Sequence, residues 1–177
     1  DHGTINSWGR DRFWHPNYNI MTQITNEKPA LILADVVEPI IIRHNRLRCD
    51  RGWDIDLDDG SSNYQIYNNL CLNGGIKLRE GFYRTVENNI IVNNTLHPHL
   101  WFKNSGDVFS RNIVMTKYKP IRVYGWGREV DYNIFTDSLA YLAARQLGGD
   151  VHSIVTTIRF MDAMKGNFNV ADDSEVI

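Results

Sequence analysis

Between Trp53 and Glu80 the chain reads WDIDLDDGSSN and then, one repeat later, IKLREG, so that Asp56, Asp58 and Asp59 are followed by Arg79 and Glu80. Superposing GWDIDLDDG on GGIKLREG with an offset of 21 residues sets Asp59 over Glu80 and Asp58 over Arg79. On adjacent strands about 4.8 Å apart, carboxylates from neighbouring columns stand roughly 5 to 6 Å from each other, near the spacing of retaining glycosidases and short of the inverting range. Such a pair works when one group is held as a proton donor and the other as an ionised nucleophile. Arg79 beside Asp58 favours the ionised aspartate and leaves Glu80 as the acid. Two other readings stay open. Asp56, Asp58 and Asp59 can be Ca²⁺ ligands, since crowded like charges call for a compensating cation; DDGSSN is also ordinary solvated turn chemistry.

Other segments carry weaker signals. INSWGRDRFW interleaves Trp8 and Trp14 with Arg10 and Arg12, which suits either a carbohydrate groove or core packing with surface arginines. His97-Pro98-His99 offers a zinc pair without further matched ligands, a sugar-contacting His99 beside Trp101, or a plain loop. His2 has no partner that the sequence fixes. Cys49 and Cys71 are 22 residues apart, which suggests stacked buried thiols, with a disulfide as the alternative. No GxSxG, Gly-rich phosphate loop or CxxC motif occurs. With 19 basic against 21 acidic side chains and a net charge of -2, the electrostatic footprint of a nucleic-acid binder is missing, and binding to anionic membranes is disfavoured. No stretch approaches the roughly 18 to 20 apolar residues of a membrane span. The compartment, cytoplasmic or secreted, is left open.

The elements that must position these residues are legible in the asparagines, 18 of the 177 residues. Aligning IIRHNRL, IYNNLCL, VENNIIV, FSRNIVM and VDYNIFT puts Asn45, Asn69, Asn89, Asn112 and Asn133 in one column, at spacings of 24, 20, 23 and 21 residues. Asparagine at this density normally disrupts regular structure. Repeated once per 20 to 24 residues and followed by a short apolar run, it instead describes a coil of a parallel β-helix, with each amide bonded to its copies above and below. The LxxLxLxxN frame of leucine-rich repeats is absent. The expected fold is all-β, a parallel β-helix with one short C-terminal helix.

Period-2 alternation sends Ile55, Leu57, Ile76 and Leu78 inward and Asp56, Asp58, Lys77 and Arg79 outward on one sheet. LWFKNSG (100–106) and IRVYGWG (121–127) are expected as the next two coils, offering Trp101, Lys103, Arg122 and Tyr124 to the same face. SLAYLAARQL (138–147) reads as a helix covering one side or end, with Asp137 or Ser138 as N-cap and Gly148-Gly149 as its stop. Residues 151–172 read as short strands. Residues 15–40 show no clear pattern, with 26–29 expected as a loop. The whole of 1–177 reads as a single domain and a piece of something longer.

Together, INSWGRDRFW, WDIDLDDGSSNYQIYNN, GGIKLREGFYRTVENNIIVNN and HPHLWF resemble the right-handed parallel β-helix glycoside hydrolases of the bacterial β-xylosidase type. The resemblance runs from about residue 1 to 170, through GREVDYNIF, DVHSI and GNFNV; it is specific around 53–102 and generic elsewhere. It implies a retaining hydrolase of xylan breakdown that removes β-linked xylose from xylo-oligosaccharides and needs no cofactor. Glu80 is the one Glu in the matching position and would be acid/base. The nucleophile would be an Asp of the DDG coil: Asp58 by outward parity or Asp59 by stacking, with Asp58 preferred. Asp56, Asp59, Arg79, Trp8, Arg10, His99 and Trp101 would contact the sugar. Members are longer, with further N-terminal coils and a β-sandwich, so the rest of a chain or another subunit would complete the pocket. Two rival readings are a Ca²⁺-dependent polysaccharide lyase, with Arg79 or Lys77 removing a proton next to a uronate, and a non-catalytic carbohydrate-binding solenoid.

Overall fold

The computed structural model describes residues 2–174. The first coil holds β1 (Ile5–Trp8), an inserted helix α1 (Tyr18–Glu27), β2 (Ile40–Arg43) and β3 (Arg46–Leu47). The second is β4 (Ile55–Asp58), β5 (Tyr64–Tyr67) and β6 (Leu70–Cys71). The third is β7 (Ile76–Leu78), β8 (Arg84–Glu87) and β9 (Ile90–Ile91), and the fourth β10 (Leu96–Pro98), β11 (Val108–Ser110) and β12 (Ile113–Val114). In the fifth a single bridge between His99 and Ile121 replaces the first strand, ahead of β13 (Glu129–Asp131) and β14 (Ile134–Phe135). After helix α2 (Ser138–Gln146) come β15 (Ile154–Val155) and an antiparallel hairpin, β16 (Phe160–Asp162) and β17 (Asn167–Val170).

The strands stack into three parallel sheets, β1-β4-β7-β10 (sheet 1), β2-β5-β8-β11-β13 (sheet 2) and β3-β6-β9-β12-β14-β15 (sheet 3), making a right-handed parallel β-helix of about six turns. Its interior is a column of Ile42, Ile55, Leu57, Ile66, Ile76, Leu78, Val86, Ile91, Leu96, Phe109 and Phe135, contributed by alternate positions of all three sheets. The 21-residue register holds, with Ile55 on Ile76, Asp56 on Lys77 and Leu57 on Leu78.

The turn between sheets 2 and 3 is built from the asparagine column. Asn45, Asn69, Asn89 and Asn112 each donate a backbone N–H to the next asparagine's Oδ1, at 3.0 to 3.1 Å, and each also points Nδ2 at that oxygen. The residue before each ladder asparagine, from His44 through Asn68, Asn88 and Arg111 to Tyr132, is left-handed, with φ between 54° and 57°. That conformation costs a non-glycine residue roughly 1 kcal/mol or more, and the amide bonds offset it. Where the column ends, Asn133 donates to Ser153 Oγ at 2.7 Å and to Asp150 Oδ1 at 2.9 Å.

Helix α2 takes the place that strands of sheets 1 and 2 would occupy between β14 and β15, and buries Ala140 and Ala144 against the end of the core. Asp137 is its N-cap, accepting from Leu139 and Ala140, and Gly148 follows at φ 94°. The hairpin lies over sheet 3, where Arg46 donates to the Gly166 carbonyl at 2.7 Å and faces Phe168.

Three expectations are corrected. The unpatterned stretch 15–40 contains α1, capped by Asn17, and residues 26–29 are no simple loop: Asn26 and Glu27 end the helix and Pro29 opens a 3-10 turn. The fourth strand of sheet 1 is Leu96–Pro98 rather than a run starting at Leu100. Leu100 is left-handed, at φ 55°, and turns the chain so that Trp101 is fully buried in the core, its Nε1 donating to the Leu78 carbonyl at 2.8 Å. Cys71 is buried between Leu47 and Ile91, whereas Cys49 lies outside that column with its Sγ near the His2 carbonyl; both thiols are free.

Truncating Asn112 to Ala strands the Asn89 N–H and the Val86 and Ser110 carbonyls inside the protein. The expected loss is about 3 kcal/mol or more in urea unfolding, against about 1 kcal/mol for Asn45→Ala at the partly exposed start of the ladder.

Candidate active site

The outward positions of sheet 1 form two rows across the coils. One runs Asn6, Asp56, Lys77, His97; the other runs Trp8, Asp58 and, one residue beyond the strand ends, Arg79 and His99. Although they point away from the core, Asp56 is 0% exposed, Lys77 5%, Asp58 9% and Glu80 2%. Walls on both sides cover them. On one side the insertion between β1 and β2 folds onto the turns of the neighbouring coils through a second small core, in which Phe13, Met21 and Ile32 meet Phe82 and Phe102. Tyr18 stacks on Phe102 at 4.8 Å, and Arg12 clamps the insertion through its ion pair with Asp35. This anchoring delivers Trp14 to the site, where its Nε1 donates to Glu80 Oε1 at 3.3 Å. The turn after Asp59 requires glycine: Gly60 has φ 86°, and a Cβ there would stand 2.8 Å from Trp14. The other wall is Trp53, set edge-on to His97 and His99 with the Lys77 ammonium 4.1 Å from its ring centre.

Three cations are threaded among the carboxylates. Lys77 Nζ lies 2.9 Å from Asp56 Oδ1 and 3.2 Å from Asp58 Oδ2. The Arg79 guanidinium reaches three groups at once: Asp58 at 3.2 Å, Asp59 at 3.3 Å and, through Nε, Glu80 at 2.7 Å. Arg10 pairs with Asp59 at 2.8 Å while lying between the Trp8 and Trp14 rings, 5.0 and 4.9 Å from their centres. Trp8 itself is half exposed beside Asp58.

This environment separates the two carboxyls that matter most. For Asp58, burial pushes the pKa up but is outweighed by Lys77 and then Arg79, so the group titrates below its ordinary value. For Glu80, burial is the largest effect and the attraction of Arg79 does not cancel it, so the group titrates above its ordinary value. Burial and the neighbouring cations also lower His97 to about 3 and His99 to about 4, leaving both neutral near pH 7.

Of the site residues read from the sequence, Asp56, Asp58, Asp59, Arg79, Glu80, Trp8 and Arg10 come together in this network, and His99 borders it. Trp101 does not reach it, because its ring is in the core. Tyr124 stacks on Tyr18, at the edge of the insertion. The Ca²⁺ reading meets a different arrangement, in which ammonium and guanidinium groups already compensate the aspartates. Among the described residues no three His, Cys, Asp or Glu converge as metal ligands. Asp54 is structural, since its carboxylate accepts from the N–H groups of Cys49, Asn73, Gly74 and Gly75. Sequence reasoning missed Trp53 as a wall and left Trp14 between a carbohydrate groove and core packing, with INSWGRDRFW as the available signal for it. A cavity of about 720 Å³ is remote from these groups, between the hairpin and the outer face of sheet 3.

No known protein family, curated protein or solved structure matches the chain.

Lys77 is the cation nearest the fully buried Asp56, so Lys77→Met leaves a buried charge without compensation. Chemical unfolding is expected to show a loss of about 3 to 5 kcal/mol, much of it recovered when Asp56→Asn is added.

Proposed function

We propose that the chain acts as a retaining glycoside hydrolase on β-linked xylo-oligosaccharides. The observation that supports this reading best is the opposed titration of Asp58 and Glu80, two carboxyls held by one guanidinium. Paired carboxyls with pKa values pushed apart are what acid/base and nucleophile roles require. Asp58, kept ionised, attacks the anomeric carbon. Glu80, its pKa raised by burial, gives its proton to the departing oxygen. The resulting glycosyl ester on Asp58 is then hydrolysed by a water whose proton passes to the Glu80 carboxylate. The exposed Trp8 ring supplies a platform for a sugar face next to Asp58. Arg79, with its side chain 37% exposed, swings aside as the sugar enters, because its guanidinium bridges the two carboxyls.

A second reading, a non-catalytic carbohydrate-binding solenoid, is favoured by one observation. Both oxygens of Asp58 and of Glu80 already have partners.

Proton NMR of product formation from xylobiose and an aryl β-xyloside separates the two. The hydrolase reading expects β-xylose to appear first, with Glu80→Ala losing at least about a hundredfold in rate and recovering with azide. Binding without product over a long incubation supports the solenoid, and Ca²⁺-dependent unsaturated products support a lyase.

The pH profile gives an independent check. Activity needs Asp58 ionised and Glu80 protonated. Lowering the pH protonates Asp58, whose pKa is depressed, so the acid limb falls below the ordinary 3.8. Raising it deprotonates Glu80, whose pKa is elevated, so the alkaline limb falls above the ordinary 4.5. Both limbs are read from kcat/KM.

A further inference from the structure

A cavity of about 250 Å³ adjoins the carboxylate network on sheet 1, lined by Lys77, Arg79, His99, Leu100, Ile121 and Arg122. Three of its six lining residues are cations and none is acidic. Lys77 and Arg79 are shared with the network, where aspartates and Glu80 balance them. Arg122 differs: it is exposed, its backbone is held left-handed at φ 54°, and among the described residues no carboxylate pairs with it. His99 Nε2 is buried and has no hydrogen-bond partner among the described residues. A buried ring nitrogen left in this state is costly unless a ligand or water meets it.

Resting on the glycosidase reading above, we propose that this cavity is a subsite for a uronate carboxylate, so that the preferred substrate is an acidic xylo-oligosaccharide rather than a neutral one. A planar carboxylate suits a guanidinium pair such as Arg79 and Arg122. One of its oxygens also meets the unpartnered His99 nitrogen, whose ring is neutral and can carry its proton at Nε2. The same anion has a second effect, because it draws the Arg79 guanidinium toward the cavity and away from Glu80 and Asp58. Binding of the acidic sugar thereby uncovers the two reacting carboxyls. A neutral oligosaccharide must displace Arg79 without that attraction and so binds less tightly.

Calorimetric titration of the wild-type chain tests this directly, using xylotriose with one glucuronic acid branch and the same oligosaccharide after reduction of its carboxyl to the alcohol. The acidic compound is expected to bind at least about tenfold more tightly, with the preference shrinking as salt is raised and collapsing in Arg122→Ala. Arg122 is on the surface, and a thermal melt verifies that the variant is folded. Equal affinity for the two compounds, no binding of either, or a preference that survives Arg122→Ala would each overturn the proposal. Titration needs no turnover, so the two readings fail separately. Acid-selective binding without any xylose release sinks the hydrolase and keeps the subsite; hydrolysis with no acid preference does the reverse.

Discussion

Everything in this molecule depends on how one coil is keyed to the next, and the key is the buried amide ladder between sheets 2 and 3. A parallel strand pair can slip, and a slip of one residue exchanges its inward and outward faces. The ladder forbids this, because each asparagine must meet the one above it while the residue before it stays left-handed. A slip would leave several buried polar groups unpaired at once, at about 1 to 3 kcal/mol each. Fixing one corner of each coil in this way fixes where its sheet 1 strand falls. That is how residues 21 apart in sequence, Asp58 and Arg79, become neighbours.

Upon that frame the chain accumulates charge where a simple β-helix would carry solvated side chains. Asp56, Asp58, Asp59 and Glu80 are compensated by Lys77, Arg79 and Arg10 at distances of 2.7 to 3.3 Å. Ion pairs withdrawn from water rarely increase stability, since desolvation offsets their attraction. A network of this kind has a functional rationale when its members must differ in protonation. Walls produce that difference: the insertion brings Trp14 over Glu80, and Trp53 sits beside Lys77, so burial and cation proximity act unequally on Glu80 and Asp58. The cavity at Arg122 extends the same face with positive charge that the carboxylates leave unmatched.

The parts legible in the sequence are those that repeat. The asparagine column and the pairing of Ile55 with Ile76 and Leu57 with Leu78 stand as read, because stacking makes one coil predict the next. The helix after Asp137 interrupts the repeat and was legible from its N-cap and its helix formers. The other interruptions were not legible. Helix α1 belongs to an insertion that has no counterpart in the other coils, and its cluster is completed by Phe82 and Phe102, far away in the chain. Trp101 was placed outward by counting alternation through Leu100, whose left-handed turn resets the parity. Cys49 misses the column of Cys71 because these two coils are offset by 24 residues, which stacks Leu47 on Cys71. At the site, the residue types could be read, but the degree of burial could not, because the cover over them is made by long-range packing of the insertion and of Trp53.

In the proposed mechanism this frame holds Asp58 as the nucleophile and Glu80, raised above its ordinary pKa, as the proton donor. The most direct measurement is peptide mass spectrometry of the chain after exposure to 2-deoxy-2-fluoro-β-xylosyl fluoride, a sugar that forms the glycosyl ester and releases it slowly. The account predicts one fluoroxylosyl group per chain, attached to Asp58. An unlabelled chain, or a label carried by another residue, would contradict it.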